Sequence, residues 1–556
     1  MARKITRRQA LLGVSSTFIL PAGCSQTATR SEQNNGNVFA HGVASGDPDQ
    51  SSLVIWTRVS QFDAPTSVAW SVATDAGFGN VISQGQGKTD GDSDYTFKAV
   101  VSGLTPGTEY FYKFTAGGAV SPVGRTRTLS DGHLDQLVLA VATCSNFSFG
   151  YFNAYDAIAN DPSVDLVVHL GDYIYEHGEN GYGGETGNRI GRSHDPHHET
   201  LSLSDYRTRH AQYKTDQGSL AMHASHPLIV IWDDHETANN PWMGGAQNHQ
   251  ENEGDWAARK KASMQAYYEW LPIREPEAGG SREQYWRHYK FGDLASLITL
   301  ESRHTGRSKQ ISYGDHPDVL QSAERAQEFV RTVVGAPDRN MLSSEMEDFL
   351  ADELKESVES GRSWRIIASP SVMARSIAPP LDNPFFARLR NDLDEAATEM
   401  LDRLTLMGGL GVPSDLDAWD GYPAARERFY QIVKDAGARD LLVIAGDSHS
   451  SWVNALYDDK DESMGLELGA TGVSSPRSIL DLGLEGLANY DKLNAAHNKE
   501  IIWTAGQYRG FIRLLINHEG AHADYVTVSD VESRNYETGI VHSVDIKKSA
   551  GTLHYV

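Results

Sequence analysis

Short apolar runs that end abruptly in polar residues dominate the hydrophobic pattern beyond the first quarter of the chain. The clearest is 166–170, a Val-rich run ended by Gly171, and its length and composition predict a buried strand. Three further runs share this form, at 137–143, 228–232 and 441–445. Because these runs alternate with segments of helical spacing, the pattern predicts an α/β domain over residues 134–530, followed by a tail over 531–556.

The remaining elements of this domain are predicted from periodicity and turn residues. Helices are expected at 151–160, 204–220 with Ser204 as its cap, 255–270, 343–360, 386–406 and 424–436, a hairpin at 285–303, and an antiparallel pair at 510–516 and 522–528. Residues 178–204 and 304–340 lack a clear period. A loop as long as 178–204 usually serves function, and we expect it to overhang a site. Its His194, His197 and His198 are expected on the surface, with metal binding as the alternative.

Residues 38–130 alternate apolar and polar positions and are rich in β-branched and aromatic residues, which is typical of half-buried strands. Strands are expected at 52–59, 67–73, 96–101 and 109–116. The segment SGLTPGTEYFYKF resembles the tyrosine corner of immunoglobulin-like and fibronectin-like sandwiches, with Tyr110 or Tyr112 supplying the ring. This part of the chain is therefore predicted to be a small all-β sandwich that packs against the enzyme-like domain.

Residues 1–30 have the features of an export signal and tether. Residues 6–12 resemble a twin-arginine motif, with a plain secretory signal as the alternative. The apolar stretch that follows is too short to span a bilayer, so no transmembrane span is expected. Cys24 ends LPAGC, which resembles a lipoprotein cleavage site, so a lipid anchor is one alternative outcome. We expect export by the twin-arginine translocase to the periplasm, the cell surface or the medium.

Composition narrows the class of protein further. The chain has 556 residues, more than one ordinary domain, and its net charge of −25 argues against a protein that binds nucleic-acid phosphates. It has only two cysteines, Cys24 and Cys144. With Cys24 in the export signal, the mature chain has one thiol and no internal disulfide. Cys144 is then either a small buried hydrophobe or, at a strand end, a thiolate ligand.

Residue types that bind metals follow each of the four apolar runs. They are Cys144 after the first, Asp172 after the second, Asp233, Asp234, His235 and Glu236 after the third, and Asp447 and His449 after the fourth. The carboxyl ends of parallel strands meet at one edge of a sheet, where ligands bind. A single Gly-Asp would be an ordinary tight turn. Four such endings together predict a shared polynuclear metal centre.

The sequences around these strand ends also resemble a known family. GDYIYE at 171–176, WDDHE at 232–236 and GDSHSSW at 446–452 resemble motifs of the alkaline phosphatase D family, a branch of the calcineurin-like metallophosphatases. The resemblance continues through FAHGVASGDP, DYRTRHAQYKTD, WDGYPAARERF and RGFIRL, and so covers most of the chain. It implies a four-layer α/β metallophosphatase fold, with β-sheets flanked by helices, preceded by the small immunoglobulin- or fibronectin-like sandwich.

The candidate ligands divide into a softer and a harder set. Cys144, Tyr175 and His449 offer thiolate, phenolate and imidazole, which suit a redox-capable transition metal such as iron(III). Asp234 and Asp447 offer hard carboxylate oxygens, which suit calcium. The family resemblance implies iron(III) together with calcium, and manganese or zinc is the alternative.

Other residues near the strand ends receive more specific roles. Asp172 is the best candidate for a carboxylate that bridges the metals, and the resemblance implies that His235 stands at the leaving-group oxygen as an acid or hydrogen-bond donor. The remaining candidates are Asn239 and Asn240 as weaker ligands, Asp233 and Glu236 as metal ligands or as partners that orient imidazoles, and Arg207 or Arg209 as the holder of a phosphate oxygen. Structural ion pairs are the equal alternative for both arginines. The nucleophile would be hydroxide or oxide held by the metals.

We therefore expect an exported, metal-dependent phosphoric ester hydrolase that scavenges phosphate from mono- or diesters. A phospholipase D-type phosphodiesterase is the nearest alternative, because some relatives have that activity. An alternative outside enzymes is a non-catalytic surface protein whose metals are structural and whose sandwich binds a polymer. Only the enzymes would lose hydrolysis when Asp172 is changed.

Overall fold

A computed structural model describes residues 37–549 and 551–556 of the chain. The predicted export signal, including Cys24, lies outside these residues. The strands, in chain order, are β1 (Val43–Gly46), β2 (Ser52–Arg58), β3 (Thr66–Ala73), β4 (Val81–Thr89), β5 (Thr96–Ser102), β6 (Glu109–Ala116), β7 (Ala119–Val120), β8 (Gly124–Arg127), β9 (Gln136–Ala142), β10 (Leu166–His169), β11 (Leu228–Val230), β12 (Pro241–Trp242), β13 (Gly245–Ala246), β14 (His288–Phe291), β15 (Ala295–Thr299), β16 (Trp364–Ser369), β17 (Leu441–Ala445), β18 (Ser451–Tyr457), β19 (Ser463–Gly469), β20 (Ile501–Ala505), β21 (Arg509–Asn517), β22 (Gly520–Val528), β23 (Thr538–Ser549) and β24 (Thr552–Tyr555).

The helices surround these strands. In chain order they are α1 (Asn153–Ala159), α2 (Gly184–Ile190), α3 (Leu203–Tyr213), α4 (Gln217–Ser225), α5 (Trp256–Trp270), α6 (Ala323–Phe329), α7 (Ser344–Glu359), α8 (Pro384–Leu389), α9 (Glu395–Leu410), α10 (Pro423–Asp435) and α11 (Gly483–His497). Among the described residues, none of the helices combines the length and the apolar character needed to cross a membrane.

Two large sheets pack face to face. The first has ten strands in the order β24-β23-β22-β21-β9-β10-β11-β1-β2-β5, and β9, β10 and β11 are parallel. The second has seven strands in the order β14-β15-β16-β17-β19-β18-β20, with β15, β16, β17 and β19 parallel. Leu139 and Val168 of the first sheet share one buried core with Leu442 and Ile444 of the second. The facing surfaces are therefore apolar, as the continuous hydrophobic runs predict.

The outer faces of both sheets carry helices. Along each central strand, side chains alternate between the inner core and an outer core. Val167 of β10 packs with Tyr155 of α1, and Val443 of β17 packs with Leu350 of α7 and Phe429 of α10. The order of layers is thus helix, sheet, sheet, helix, which confirms the predicted four-layer α/β fold.

The N-terminal region is all-β, as predicted. β3, β4, β6, β7 and β8 form a five-stranded sheet, and its buried face packs against β1, β2 and β5 through residues such as Val68, Tyr112 and Leu53. The tyrosine corner is supplied by Tyr110, whose hydroxyl accepts a hydrogen bond from the Thr105 backbone nitrogen at 2.8 Å. Tyr112 instead lies in the core of the sandwich.

One layer of this sandwich is part of the first large sheet. β1 pairs in parallel with β11, with Gly46 opposite Leu228, and β2 and β5 follow it outward. Val38–Val556 accordingly forms one compact unit. At the other edge of this sheet, β23 and β24 extend it with residues that the sequence analysis assigned to the tail.

Two helices predicted from periodicity are interrupted. The segment 204–220 forms α3 and α4, because the Asp216 side chain accepts a hydrogen bond from the Gly218 nitrogen and starts a new helix. The cap of α3 is Ser202 rather than Ser204. The segment 386–406 is likewise divided into α8 and α9, because Asp394 caps α9.

Candidate metal centre

The strand ends that carry ligand-type residues meet at one end of the two facing sheets. β9, β10 and β11 come from the first sheet and β17 from the second. A Cβ on Gly446, which follows β17, would lie 2.6 Å from Thr143 Oγ1 and 3.2 Å from Leu170 Cβ. A Cβ on Gly171 would lie 2.5 Å from the Asp233 nitrogen. Glycine is needed at both positions, because a side chain would push the strand ends apart.

Residues after β9, β10 and β17 share an unusual backbone conformation. Cys144, Asp172, Asp447 and His449 have φ values of 58°, 56°, 65° and 53°. Left-handed backbone costs about 1 kcal/mol or more for a residue with a Cβ, and such residues cluster at functional sites. The turn after each strand therefore points a ligand-type side chain into the same space.

One group of side chains at this point is of mixed, softer character. Cys144 Sγ, a carboxylate oxygen of Asp172 and an imidazole nitrogen of His449 lie within 4.8 Å of one another. The Tyr175 hydroxyl donates to Asp172 Oδ2 at 2.9 Å and lies 3.1 Å from His449 Nε2. Ser475 Oγ donates to the same hydroxyl at 2.9 Å. The predicted thiolate, phenolate, imidazole and carboxylate candidates are thus brought together.

The imidazole of His449 is held in one orientation. Its Nδ1 lies 2.8 Å from the Pro476 carbonyl oxygen, to which it donates, and 3.3 Å from the Tyr182 hydroxyl. Burial lowers the pKa of His449 to about 3, so the ring is neutral. With Nδ1 protonated, Nε2 presents its lone pair to the group around Asp172, as a metal-binding histidine does.

A second group lies on the other side of Asp172 and consists of harder ligands. Ligand atoms of Asp172, Asp234 and His235 lie within 4.8 Å of one another. Asp234 Oδ2 accepts a hydrogen bond from the Asn240 nitrogen at 2.9 Å, while its buried Oδ1 has no hydrogen-bond partner among the described residues. Asp447 lines the same cavity. Asp172 therefore belongs to both groups, which is the position that a bridging carboxylate needs.

The buried acidic groups at the centre need cations to compensate their charge. Burial and neighbouring carboxylates raise the pKa of Asp172 and of Asp447 well above the ordinary value. Burial, followed by the Asp172 charge, likewise raises the pKa of the Cys144 thiol and the Tyr175 phenol. Buried acids packed this closely cannot all ionise without compensation. Metal ions would supply that compensation, and the donor set of thiol, phenol, imidazole and carboxylates fits them.

His235 is held by a buried carboxylate. Its Nδ1 lies 2.7 Å from Glu176 Oε2, and its ring stacks on Tyr175 with centroids 4.2 Å apart. Burial alone would lower the pKa of His235, but the carboxylates of Asp234 and Glu176 raise it well above the ordinary value. The imidazolium is therefore favoured, and His235 lines the cavity.

The role of orienting imidazoles predicted for Asp233 and Glu236 is wrong, because neither carboxylate contacts an imidazole. Asp233 Oδ1 accepts a hydrogen bond from Arg303 Nε at 2.5 Å. Glu236 accepts backbone hydrogen bonds from Tyr173 at 2.6 Å and from Asp233 at 2.8 Å. Both acids hold the backbone and a buried arginine behind the strand ends. Glu176 is the residue that orients an imidazole.

For Arg207 and Arg209 the structure favours the structural alternative over phosphate binding. Arg207 makes a bidentate contact to Glu269, with both distances 2.7 Å. Arg209 is fully buried and donates to the carbonyl oxygens of Tyr175 and Pro196, so it holds the loop after β10 in place. Neither side chain lines the cavity. Both are held away from it by these contacts.

The asparagines and loop histidines are placed as follows. Asn239 and Asn240 line the cavity; the Asn239 amide donates to Gln247 Oε1 at 2.7 Å, while Asn240 contacts Asp234 through its backbone. His197 and His198 are exposed and pair with carboxylates, as expected of surface histidines. His194 is buried instead, because it packs against Tyr213 in the interior of the loop.

A cavity of about 710 Å³ opens over the centre. The ligand candidates that line it are Asp172, Asp234, Asp447 and His449, with His235 beside them. Cys144 and Tyr175 lie behind them and are fully buried. The loop 178–204 contributes Tyr182 to the lining. The volume is far larger than a phosphate group, so the cavity has room for an organic substituent.

Two arginines that the sequence analysis missed line this cavity. Arg477 donates to Asp491, and its guanidinium lies 5.7 Å from the Trp452 ring centroid and 5.3 Å from that of Tyr490. Arg403 is exposed on α9 and also lines the cavity. Neither arginine lies in a recognisable motif, so only the fold could reveal them.

Three comparisons with known proteins identify the family of this chain. The family model described as PhoD-like phosphatase matches residues 139–525, and that of the PhoD-like phosphatase N-terminal domain matches residues 23–130. Alkaline phosphatase D of Bacillus subtilis (strain 168) is 31% identical over 498 residues, which are 88% of this chain and 77% of that protein.

Two solved structures are similar to this chain. The structure of PhoD has a TM-score of 0.75 and 29% identity, and the match covers 93% of this chain and 92% of that chain. The purple acid phosphatase PPD1 from yellow lupin (Lupinus luteus) seeds has a TM-score of 0.55 at 11% identity, covering 91% of this chain and 74% of that one, and so shares the fold. The chain therefore belongs to the PhoD-like phosphatase family, and it carries the N-terminal domain of that family as well.

Proposed function

We propose that this protein hydrolyses phosphoric mono- or diesters at the centre around Asp172, with bound metal ions as cofactors. The observation that carries the proposal is the position of Asp172, whose carboxylate belongs to one ligand group with Cys144 and His449 and also lies close to Asp234. His235 stands beside this second group as a proton donor and not as a ligand. A carboxylate shared in this way is what a site for adjacent metals requires. Family membership supports phosphatase chemistry.

The two groups differ in the metals that they suit. Cys144, Tyr175 and His449, with Asp172, would hold iron(III), since thiolate and phenolate are ligands for a transition metal. Asp234 and Asp447 would hold calcium through carboxylate oxygens, with Asn240 nearby as a further oxygen donor. Manganese or zinc is the alternative. Bound cations would polarise the phosphoryl oxygens and activate water.

The chain's own residues prepare the rest of the reaction. Glu176 fixes the His235 ring and holds a proton on its Nδ1, so that the protonated ring presents Nε2 to the leaving-group oxygen. Tyr182 and the Pro476 carbonyl keep His449 in its neutral, ligating form. Arg477 lines the cavity and can hold an anionic oxygen of the substrate.

We also propose that the protein is exported. The support is the sequence of residues 1–30, with its twin-arginine motif, and Cys24 as a lipidation site is the anchored form of this proposal. Export by the twin-arginine translocase would place the enzyme in the periplasm, on the cell surface or in the medium. Scavenging of phosphate from external esters is the role that fits such a location.

Substitutions of Asp172 and Asp447 test the proposed function, with Asp440 as the control. Asp440 and Asp447 lie at opposite ends of β17, and only Asp447 lines the cavity. Asp172→Asn and Asp447→Asn should lower turnover of 4-nitrophenyl phosphate and bis(4-nitrophenyl) phosphate by about a hundredfold or more, with the circular dichroism spectrum unchanged. Asp440→Asn should keep its activity.

The substrates separate the alternatives. Release of choline from phosphatidylcholine that exceeds hydrolysis of both aryl phosphates would favour the phospholipase D-type reaction. Absence of hydrolysis on all three substrates by metal-loaded protein would contradict the proposal, as would full activity of Asp172→Asn.

A further inference from the structure

A second cluster of metal-ligand side chains lies far from the candidate metal centre. That centre follows the carboxyl ends of β9 and β17, whereas this cluster lies at the opposite ends of the sheets. His133 precedes β9, Asp293 lies in the turn between β14 and β15, and His518 lies in the turn between β21 and β22. The seven residues of β9 alone put about 20 Å between the two places.

The three side chains converge on one point. One ligand atom from each lies within 4.8 Å of the others. His133 Nδ1 is 2.8 Å from Asp293 Oδ2, and His518 Nε2 is 3.5 Å from Asp293 Oδ1. The two imidazoles are stacked, with centroids 5.1 Å apart and an interplanar angle of 8°. The side chains of His133, Asp293 and His518 are 63%, 48% and 34% exposed, so a solvated ion can reach them.

Each imidazole is also held from behind. His133 Nε2 lies 3.1 Å from Asp135 Oδ1, and His518 Nδ1 lies 2.9 Å from Ser363 Oγ. The nitrogen that faces away from the cluster is thus hydrogen-bonded in both rings. Asp135 and Ser363 thus restrain the orientation of the two rings from outside the cluster, as the outer shell of metal-binding histidines does. A metal ion would take the place of the proton that His133 Nδ1 shares with Asp293. Asp293 is held too, because its Oδ1 accepts a hydrogen bond from the Leu134 nitrogen at 3.1 Å.

We propose that His133, Asp293 and His518 form a surface site for a zinc-like divalent transition-metal ion. Two imidazoles and one carboxylate, with water in the fourth position, are a common tetrahedral set for Zn²⁺. Imidazole-rich sites prefer such ions over calcium and magnesium, which take oxygen ligands. The site is separate from the catalytic proposal, so either can fail without the other.

The position of the cluster indicates what a bound ion would do. His133 lies in the segment between β8 and β9, which links the N-terminal strands to the central part of the first sheet. Asp293 belongs to the second sheet and His518 to the first. An ion held by all three would tie this linking segment to the ends of both sheets, and its binding would stabilise the folded protein by mass action.

The experiment compares zinc binding by exported, metal-loaded protein and its variants. Isothermal titration with Zn²⁺ is carried out in the presence of calcium, and metal content is checked after gel filtration. His133→Ala and His518→Ala should each bind about one zinc fewer than the wild type, and Asp135→Asn should bind it about 10–100-fold more weakly. His497→Ala, which removes an exposed histidine on α11, is the matched control.

The outcomes are distinct. We expect hydrolysis of 4-nitrophenyl phosphate to be equal in all five proteins. Zinc should raise the melting temperature of the wild type and of His497→Ala, should raise that of Asp135→Asn less, and should leave those of His133→Ala and His518→Ala unchanged. Equal zinc binding by the wild type, His133→Ala and His518→Ala would overturn it and leave two histidine–aspartate ion pairs. If calcium or magnesium at the same concentration as zinc displaced the bound zinc, the assignment to a transition metal would be overturned.

Discussion

The amine of Lys214 provides a test of how the interior beneath the centre is built. The side chain is 1% exposed, and its Nζ lies 3.1 Å from the Tyr173 hydroxyl and 3.2 Å from His223 Nε2. It also lies 4.8 Å from the centroid of the Trp56 ring. No carboxylate pairs with it among the described residues. Burial lowers the pKa of Lys214 from 10.5 to about 7.

The sign of the pH effect follows from this shift. Between about pH 7 and 10.5 the unfolded chain binds a proton that the folded protein does not, so stability rises with pH in this window. At about 1.4 kcal/mol for each pH unit, the buried amine costs about 5 kcal/mol at pH 6 and about 2 kcal/mol at pH 9. Lys214→Met removes this titration. The variant should therefore have a higher free energy of unfolding than the wild type, by a difference that is about 3 kcal/mol larger at pH 6 than at pH 9.

The neighbours of Lys214 do not obscure the effect. Burial lowers the pKa of His41 and His210 to about 3, and that of His223 well below its ordinary value, so these rings are neutral at both pH values. Hydrogen bonds lost by Tyr173 and His223 in the variant would cost about 1–3 kcal/mol at either pH, and they cancel in the comparison.

The assay is urea unfolding of the metal-loaded protein, followed by tryptophan fluorescence at pH 6 and pH 9. Lys355→Met is the control, since Lys355 is 67% exposed and should give no pH-dependent difference. The reasoning would be refuted if the free energies of unfolding of Lys214→Met and the wild type differed by the same amount at both pH values. The amine would then be charged or solvated in the folded protein.

Three further predictions concern the site. Glu176→Gln should lower kcat about 10–100-fold on alkyl phosphates and much less on 4-nitrophenyl phosphate, whose leaving group needs no proton; steady-state kinetics on both substrates checks this. Arg477→Ala should raise the KM for phosphate esters about tenfold or more, whereas Arg390→Ala, an exposed arginine paired with Asp402, should not. Gly446→Ala should lower the unfolding free energy by about 1–3 kcal/mol and reduce bound metal, measured by urea unfolding and elemental analysis.

The hydrophobic pattern predicted the central strands because they are buried on both faces, whereas the four-layer order was implied by the family resemblance. Continuous apolar runs such as 166–170 and 441–445 have few alternatives to a buried strand, and the glycine after each marks its end. The candidate ligands follow directly from those ends. That β17 belongs to a different sheet from β10 could not be predicted, because nothing in either run specifies its neighbours.

Side-chain partners were much harder to predict than strand ends. Arg209 has the residue type and helix position of a phosphate ligand, but its partners are carbonyl oxygens of the loop after β10. Arg477 reaches the cavity only because the fold brings Trp452 and Tyr490 around it. Such contacts depend on loops distant in sequence. Glu176 was within reach of sequence reasoning, since it ends the GDYIYE motif beside two ligand candidates.

The sequence likewise did not predict that β1, β2 and β5 continue the first large sheet. Alternation predicts that each of these strands has one buried face, but it does not show which strand lies beside β11. The pairing of Gly46 with Leu228 is made across residues far apart in the chain. Separate domains are therefore an incomplete description of Val38–Val556, which forms one compact unit.

The central claim is that one centre holds different metals in a softer and a harder group joined by Asp172. The most direct test is elemental analysis with a visible absorption spectrum of exported protein, in a His133→Ala background so that the surface site does not contribute. We expect iron together with calcium and a visible charge-transfer band. Tyr175→Phe should change that band by removing its phenolate part, Tyr182→Phe should keep the band, and Asp172→Asn should lose both metals. Calcium or zinc alone without colour, or metal content unchanged in Asp172→Asn, would contradict the account.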